Sequence, residues 1–408
     1  MMDRAQRAIA ECKLIATMTE EPGRTTRRFL TPPVRQVHNH LRARMQALEM
    51  NISVDAVGNL RGLWQPPGSG AKRLVIGSHI DTVPDAGAYD GVLGVTLALE
   101  WVGIAQELSL PLAIEVIAFS EEEGVRFGVP FIGSRAVAGR FDPALLALKD
   151  PDGISLEAAI RNFGLNPEGV AQAALDEGVL GFIELHIEQG PVLEAEDLSL
   201  AAVSSIVGQT RLRLQFAGQA NHAGTTPMHL RRDALAGIAE WIGKVEAIAQ
   251  RTDGLVATVG KIAVEPGAAN VIPGVAQASL DMRHAHDAAR IAAVDEMLAQ
   301  ANAIADRRQL ALQYLNQLNQ PAVPMDERLT AFLSDAIEAA GLPPKHMPSG
   351  AGHDAMVMAA RMPTAMLFLR SPGGVSHHPA ENVLEEDVEA SLHVGRRFLG
   401  RLAAEARS

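Results

Sequence analysis

The chain has 408 residues, of which 47% are hydrophobic and 21% are charged, and its formal net charge is -12. This length exceeds the usual size of one hydrophobic core, so we expect two domains. The negative charge argues against nucleic acid or an anionic membrane as the main partner. The single cysteine, Cys12, excludes an intrachain disulfide. No signal-peptide pattern and no apolar run of membrane-spanning length are visible, so we expect a soluble, cytoplasmic protein.

Helix-like and strand-like segments alternate in the first part of the chain. Residues 35–49 and 94–106 have the apolar spacing of helices, whereas 73–78, 113–119 and 181–187 are short apolar runs typical of buried strands. This alternation predicts an α/β fold with a mostly parallel central sheet that is flanked by helices. In such sheets, functional residues gather at the carboxyl ends of the strands.

The pattern changes near Gly208, after which strands alternate between polar and apolar residues. This part predicts a smaller α+β domain whose sheet exposes one face. We therefore expect a catalytic domain made of residues 1–208 and 319–408, interrupted by an inserted domain at 209–318. The inserted domain is predicted to contain two helices and four strands, at 210–216, 232–250, 255–264, 276–283, 287–308 and 310–315.

Potential metal ligands occur in short polar segments that are rich in glycine, and several lie where strands end. One histidine at such a place is more often an ordinary core or surface residue, so the argument depends on their joint occurrence. Mixed imidazole and carboxylate ligands suit Zn²⁺, Mn²⁺ or Co²⁺. The candidates are His79 in GSHIDTV, Asp90 in AYDGVLG, Glu123 in SEEEGVRFG, His186 in ELHIEQG and His377 in GVSHHPAE.

Five such ligands are about the number that a two-metal site needs, if one carboxylate bridges the ions. With Asp90 as the bridge, His79 and His186 would bind one ion, and Glu123 and His377 would bind the other. A water shared between the two ions would be acidified and held for attack.

Two further acidic residues are predicted to act without binding metal. The shared water needs a proton acceptor, and Glu122 is the natural candidate for this general base. Asp81 lies two residues after His79, so both side chains point the same way on an extended segment, and we expect Asp81 to orient a ligand. The acidic run at 121–123 could instead be a solvated turn, but the apolar strand before it argues against this. Of two adjacent histidines at 377 and 378, we favour the first as the ligand.

The motifs GSHIDTV, YDGVLGV, EEEGVRFG, ELHIEQGPVLE, NHAGTTPM, GAGHDA and GVSHHPAE resemble those of the M20 metallopeptidase superfamily. More narrowly, they are similar to its amidohydrolase branch, which includes allantoate amidohydrolase, N-carbamoyl-L-amino acid hydrolase and β-ureidopropionase. The resemblance extends from about residue 77 to 382. It implies a lid domain that also mediates dimerisation, two divalent ions per subunit on the ligands above, and Glu122 as the base. It also implies that His377 rather than His378 is the ligand.

The same resemblance implies how a substrate is bound. His222 in NHAGTTPM would stabilise the oxyanion across a dimer interface, and Arg283 would grip the substrate carboxylate. Taken without the resemblance, the segment around His222 is an ordinary turn-rich connector and Arg283 is a solvated charge. Further groups that would contact the substrate are the side chains of Gln189 and Asn270 and the backbone of Gly350 and Gly352.

The expected function is hydrolysis of a C–N bond in a small ureido acid, either allantoate or an N-carbamoyl-L-amino acid, with release of ammonia and carbon dioxide. The closest alternative is another M20 hydrolase, such as a dipeptidase, an aminopeptidase or an N-acyl amino acid deacylase. A remote alternative is a non-catalytic ligand-binding paralogue, which would be free to lose Glu122 or a metal ligand. None of these residues is missing from the sequence.

Overall fold

The computed structural model describes residues 3–67 and 72–407. The chain divides into two compact units, Met1–Ser204 with Met325–Ser408, and Ser205–Pro324. The predicted insertion at 209–318 lies inside the second unit. Its role as a lid and dimerisation domain stays a prediction.

The described helices include long ones that begin at an aspartate. Asp3, Asp233 and Asp326 each accept a hydrogen bond from the backbone N–H three residues later, which satisfies a donor that has no partner inside the helix. The helices are α1 (Arg4–Ala16), α2 (Pro32–Ala47), α3 (Val92–Glu107), α4 (Ile132–Val137), α5 (Leu156–Asn162), α6 (Val192–Ala195), α7 (Ala234–Arg251), α8 (Asp287–Arg308), α9 (Glu327–Ala339), α10 (Asp354–Met358) and α11 (Glu385–Arg407).

The strands range from two residues to ten. They are β1 (Asn51–Val54), β2 (Leu60–Trp64), β3 (Arg73–His79), β4 (Ala113–Phe119), β5 (Val179–Ile187), β6 (Leu200–Ile206), β7 (Gly208–Ala217), β8 (Asn221–His222), β9 (Val256–Glu265), β10 (Val271–Ile272), β11 (Val275–His284), β12 (Ala311–Gln320), β13 (Val323–Pro324), β14 (His346–Ser349) and β15 (Thr364–Leu369).

The main sheet of the first unit has the order β1-β2-β4-β3-β5-β15-β6, and β14 pairs with β6. Its central strands β4, β3, β5 and β15 are parallel. Every residue of β4 is buried, as is typical of a strand covered by helices on both faces. The predicted α/β fold with a parallel centre is therefore confirmed, whereas the antiparallel pairing of β1, β2 and β6 at the two sides was not predicted.

Helix α3 lies directly on the central sheet. A Cβ at Gly94 would collide with the carbonyl oxygen of Leu185 in β5, so the close approach of α3 to the sheet depends on this glycine. Residues 92–105 of α3 are all buried. The helix begins at Val92, two residues after Asp90, so this packing fixes the backbone that carries the Asp90 carboxylate. On α1, Cys12 is also buried, as expected for a structural thiol.

The second unit has an antiparallel sheet in the order β12-β7-β11-β9. Along β7, buried residues alternate with half-buried and exposed ones, so one face carries apolar side chains that pack with those of α7 and α8. The predicted α+β pattern of this part is confirmed. Strand β12 continues to Gln320, past the predicted end at 315, with an irregularity between Asn316 and Leu318.

No helix within the described ranges combines the length and the apolarity that crossing a bilayer requires.

Candidate metal centre

Two of the predicted ligands, His79 and His186, face the same carboxylate oxygen of Asp90. Its Oδ1 lies 3.3 Å from Nε2 of His186 and 3.7 Å from Nε2 of His79. These two ring nitrogens are 3.4 Å apart. Each residue of this trio offers a ligand atom within 4.8 Å of the others, and all three are buried. The arrangement follows from the parallel sheet, because β3 ends at His79 and the neighbouring β5 carries His186 next to its end.

The other carboxylate oxygen of Asp90 faces a second trio. Nε2 of His377 lies 3.1 Å from Asp90 Oδ2 and 3.6 Å from Oε1 of Glu123. The ligand atoms of these three residues also lie within 4.8 Å of one another. Asp90 therefore belongs to both trios, one through each oxygen.

The chemistry of these groups fits a divalent cation. Two carboxylates and three imidazoles face one another, and among the described residues Asp90 Oδ2 and Glu123 Oε1 are buried and receive no well-formed hydrogen bond. Burial of a carboxylate without such a bond is costly unless a cation compensates it. Burial, reinforced by the charge of Asp90, raises the pKa of Glu123 to about 7. The donor set of nitrogen and oxygen atoms is one that Zn²⁺, Mn²⁺ and Co²⁺ accept.

The two buried histidines are oriented by hydrogen bonds to backbone carbonyls. Nδ1 of His79 donates to the carbonyl oxygen of Asp81 at 3.0 Å, and Nδ1 of His186 donates to that of Ile187 at 2.9 Å. Because a carbonyl can only accept, Nδ1 carries the proton in both rings. In the neutral form of each ring, Nε2 then has a lone pair that faces Asp90, as a metal ligand requires.

Asp81 does more than was expected from its spacing. Its Oδ1 lies 3.6 Å from Nδ1 of His79, which agrees with an orienting role. In addition, its two oxygens accept the backbone N–H groups of Glu122 and Glu123, each at 3.0 Å. One carboxylate therefore joins the end of β3 to the acidic run after β4, so that the run faces the histidines rather than solvent.

Glu122 is placed as a proton acceptor would need to be. It is buried, and its carboxylate lies within 4.8 Å of ligand atoms of both His79 and Glu123. Burial raises the pKa of Glu122 well above its usual range; the charge of His79 opposes this rise and that of Glu123 adds to it. A bound cation would act in the same direction as His79. The charges around Glu122 therefore determine how readily its carboxylate binds a proton.

Backbone conformations at the centre are restrictive. Gly91 has φ of +67°, and a Cβ there would lie 2.5 Å from the ring of His79, so only glycine fits between Asp90 and α3. His377 and Gln189 have φ of +55° and +59°, although neither is glycine. Positive φ at such residues is uncommon; it occurs in turns and at helix ends and also recurs at functional sites.

Gln189 was predicted to bind substrate, and in the structure its side chain contacts the candidate metal ligands. Its Nε2 donates to Asp90 Oδ1 at 3.1 Å and to Ser376 Oγ at 3.2 Å. It also lies 3.4 Å from Nε2 of His377. The side-chain amide of Gln189 therefore lies beside the Asp90 carboxylate that both trios share. A substrate that contacts this amide would have to bind next to the two trios.

The segment that contains Gly350 and Gly352 lies beside His186. The ring of His353, which directly follows these glycines, packs edge-on against that of His186, with centroids 4.4 Å apart. A Cβ at Gly352 would come within 3.1 Å of the Phe131 ring. The sequence motif GAGHDA was noted for its glycines, whereas the contact made by His353 was missed.

A second missed residue is Glu184, which lies behind the first trio. Its carboxylate accepts hydrogen bonds from Ser78 Oγ at 3.0 Å and from the backbone of Ala355 at 2.8 Å. The spacing along β5 could have indicated it, since Glu184 and His186 are two residues apart and so share one face of the strand. Burial raises the pKa of Glu184 to about 7.

His378 takes no part in either trio. It is exposed, and its Nδ1 accepts a hydrogen bond from the backbone of Ala380 at 3.1 Å. This bond closes the turn after His377. Such a contact accounts for a polar residue at 378 without any function in metal binding.

In the second unit, His222 and Asn270 lie side by side. Strands β8 and β10 pair His222 with Val271, and the backbone N–H of Ala223 donates to the carbonyl of Asn270 at 2.9 Å. The backbone N–H of Gly224 donates to Nδ1 of His222 at 3.0 Å, so the proton of the neutral ring is on Nε2. This exposed histidine is therefore held as a hydrogen-bond donor.

Arg283 lies on β11 of the same unit, on the polar face of its sheet. Its guanidinium pairs with Asp281, at 2.9 Å between Nε and Oδ1, and Asp281 is also paired with Arg211 at 2.7 Å. The side chain of Arg283 is 33% exposed. A planar guanidinium binds a carboxylate through two parallel hydrogen bonds, and Nε and Nη2 of Arg283 adopt this geometry towards Asp281.

Comparison with known proteins identifies the family. Residues 75–403 match the sequence profile of peptidase family M20/M25/M40. The chain belongs to this family. An N-carbamoyl-L-amino acid amidohydrolase from Geobacillus stearothermophilus is 38% identical over 384 residues, covering 93% of this chain and 94% of the relative. An allantoate deiminase from Arabidopsis thaliana is 36% identical over 420 residues, covering 94% and 80% respectively.

Solved structures agree with this placement within the M20 family. The crystal structure of an amidase of the hydantoinase/carbamoylase family from Burkholderia multivorans matches with a TM-score of 0.91 and 30% identity, covering 97% of each chain. The resemblance to the amidohydrolase branch is thus confirmed. The assignment of individual site residues stays a prediction, which the geometry above supports.

Proposed function

We propose that this M20 chain is a two-metal amidohydrolase that cleaves a C–N bond of a small ureido acid, either allantoate or an N-carbamoyl-L-amino acid. The observation that carries the proposal is the carboxylate of Asp90, whose two oxygens face two separate pairs of candidate ligands. The relatives named for hydrolysis of allantoate and N-carbamoyl amino acids match nearly the whole chain.

In this proposal, His79 and His186 would hold one ion, Glu123 and His377 would hold the other, and the carboxylate of Asp90 would serve both. Divalent ions at such a centre lower the pKa of a bound water and polarise a carbonyl group. Zn²⁺, Mn²⁺ and Co²⁺ all accept these ligands.

The residues of the chain then perform the proton transfers. Glu122 accepts a proton from the attacking water and returns it to the leaving nitrogen of the ureido group. Asp81 accepts the backbone N–H of Glu122 and thereby positions that residue. Its carboxylate also lies next to Nδ1 of His79 and positions that ring. The products are ammonia, carbon dioxide and the remaining amine or ureido acid.

Residues of the second unit are assigned to substrate binding. His222 donates from Nε2 to the carbonyl oxygen as negative charge develops on it, a role that its fixed tautomer supports. Arg283 anchors the substrate carboxylate, and Asn270, Gln189, Gly350 and Gly352 orient the ureido group.

We also propose that the chain forms a homodimer through its second unit. Strand β12 is an edge of the sheet, and it exposes Tyr314 and Leu315 by 52% and 64%. An edge strand that carries large apolar residues presents unpaired backbone groups that a second chain can cover. A dimer would pair this edge with that of another copy.

The deciding experiment is a substrate panel with apoenzyme reconstituted with Zn²⁺, Mn²⁺ or Co²⁺. Ammonia release is measured with allantoate and with N-carbamoyl-L-amino acids, and hydrolysis is measured with dipeptides and N-acetyl amino acids. We expect turnover of the ureido acids only. Turnover confined to the peptides or the acetyl compounds would show that the substrate class is wrong, and no turnover of any compound would favour a binding protein.

A further inference from the structure

Glu381 connects the two loops that carry the bridging aspartate and His377. The residue is 5% exposed, and its Oε1 accepts the backbone N–H groups of Tyr89 at 2.8 Å and Asp90 at 3.0 Å. The other oxygen, Oε2, accepts the hydroxyl of Ser376 at 3.1 Å. One carboxylate thereby holds the backbone on both sides of the contact between Asp90 and His377.

The loop before Asp90 is shaped around this side chain. A Cβ at Gly87 would collide with Cβ and Oε1 of Glu381, so the glycine makes room for the carboxylate. Both N–H groups that it accepts precede α3, where the helix offers them no carbonyl partner. Without an acceptor at this position, the segment Tyr89–Asp90 would lose the bonds that fix its direction.

The link reaches the metal candidates from both sides. Ser376 directly precedes His377, and its Oγ also accepts from Nε2 of Gln189 at 3.2 Å. The distance of 3.1 Å between Asp90 Oδ2 and His377 Nε2 thus depends on loops that Glu381 ties together. Since the two loops are nearly three hundred residues apart in sequence, their relative position depends on such contacts.

We propose that Glu381 is a positioning residue, which sets the separation of Asp90 from His377 and thereby prepares the trio that includes Glu123. The inference rests on the proposed two-metal centre. Partners that orient metal ligands without touching the ion typically contribute about 10- to 100-fold in metal affinity or activity. Glu381 is placed to have an effect of this size on one of the two ions, with little effect on the binding of substrate.

The test compares Glu381→Ala with Glu381→Gln and with Glu389→Ala, a control that removes an exposed glutamate from nearby α11. Apoprotein is titrated with Co²⁺, and the stoichiometry, affinity and visible absorption spectrum are recorded. For Glu381→Ala we expect one of the two Co²⁺ ions to bind about 10- to 100-fold less tightly than in wild type, and the visible absorption spectrum to change. We also expect kcat to fall while KM stays unchanged. Glu381→Gln keeps an acceptor for the two N–H groups and should recover most of the affinity, whereas the control should match wild type.

A Co²⁺ titration and spectrum of Glu381→Ala that equal those of wild type would overturn the inference. Should Glu381→Ala fail to fold, Ser376→Ala cuts the link at its other end, and unchanged affinity in that variant would overturn it as well. The titration needs no substrate, so its outcome is separate from that of the substrate panel. A wild-type chain that binds one ion, or that hydrolyses none of the ureido acids, would instead contradict the proposed function.

Discussion

The orientation of single imidazole rings determines what the candidate centre can bind. His79 and His186 turn Nε2 towards Asp90 because Nδ1 of each donates to a carbonyl one or two residues further along the chain. The residue types and their places at strand ends were predictable from sequence. The side of each ring that carries the proton was not, because it depends on backbone positions after the strands end.

The role of Glu122 can be tested by removing its charge while keeping its size. In Glu122→Gln we expect kcat to fall by about 10²–10⁴, the usual contribution of a general base, while the metal content stays at the wild-type value. Metal analysis and steady-state kinetics on a ureido acid provide the measurement. Glu122→Asp keeps a carboxylate at a shorter reach and should retain part of the activity. Loss of metal from Glu122→Gln would show that the residue is a ligand instead.

Arg283 offers a test of carboxylate recognition with a matched control. Truncation in Arg283→Ala removes charge-assisted hydrogen bonds worth about 1.5–3 kcal/mol, so KM for a ureido acid should rise roughly 10- to 100-fold. Arg211 pairs with the same Asp281 on the same sheet, so Arg211→Ala removes an equal charge nearby. Steady-state kinetics should show little change in that control. An equal rise in KM for both variants would indicate a general effect of charge and not a specific anchor.

At the level of secondary-structure elements, the hydrophobic pattern of the sequence predicted the helices and strands that are long and regular. The central strands β3, β4 and β5 were found because buried parallel strands are continuous apolar runs. The ribbon of β8 and β10 was missed, since two residues are too few to show a pattern. Glu381 was missed for another reason: it follows no strand, and its function arises from a loop that is distant in sequence.

Helix α2 carries a buried histidine whose protonation opposes folding. His38 packs edge-on against Phe163, with ring centroids 5.8 Å apart. Burial, together with the charges of Arg42 and Arg35, lowers the pKa of His38 to about 4 from 6.5. Between these values the unfolded chain binds the proton more tightly than the folded one. The free energy of unfolding therefore falls as pH decreases through this window.

The variant His38→Phe should lose less stability than wild type on acidification. The shift in pKa corresponds to about 3 kcal/mol, which the variant no longer loses between neutral pH and pH 4. Urea unfolding at several pH values measures the difference. His393→Gln, which changes an exposed histidine on α11, should keep the wild-type dependence. Identical pH dependence in His38→Phe and wild type would refute the assignment.

For the whole molecule, we predict that His222 of one copy serves the active site of the other copy. The histidine belongs to the second unit, whereas the trios around Asp90 belong to the first. If each active site uses His222 of another copy, activity requires a dimer, and the exposed edge of β12 would serve catalysis as well as assembly. The copy that supplies His222 could not be predicted from the composition of the chain or from contacts within one copy.

Mixing two inactive variants distinguishes the possibilities. Glu122→Gln is expected to lose about two to four orders of magnitude in kcat, and His222→Ala about two to three. If His222 acts across the dimer, a mixed dimer contains one site with both residues intact, so random exchange of subunits should restore about a quarter of wild-type activity. Exchange is promoted by mild denaturation and refolding, and dimer formation is verified by sedimentation. Exchanged dimers that stay inactive would mean that each chain uses its own His222.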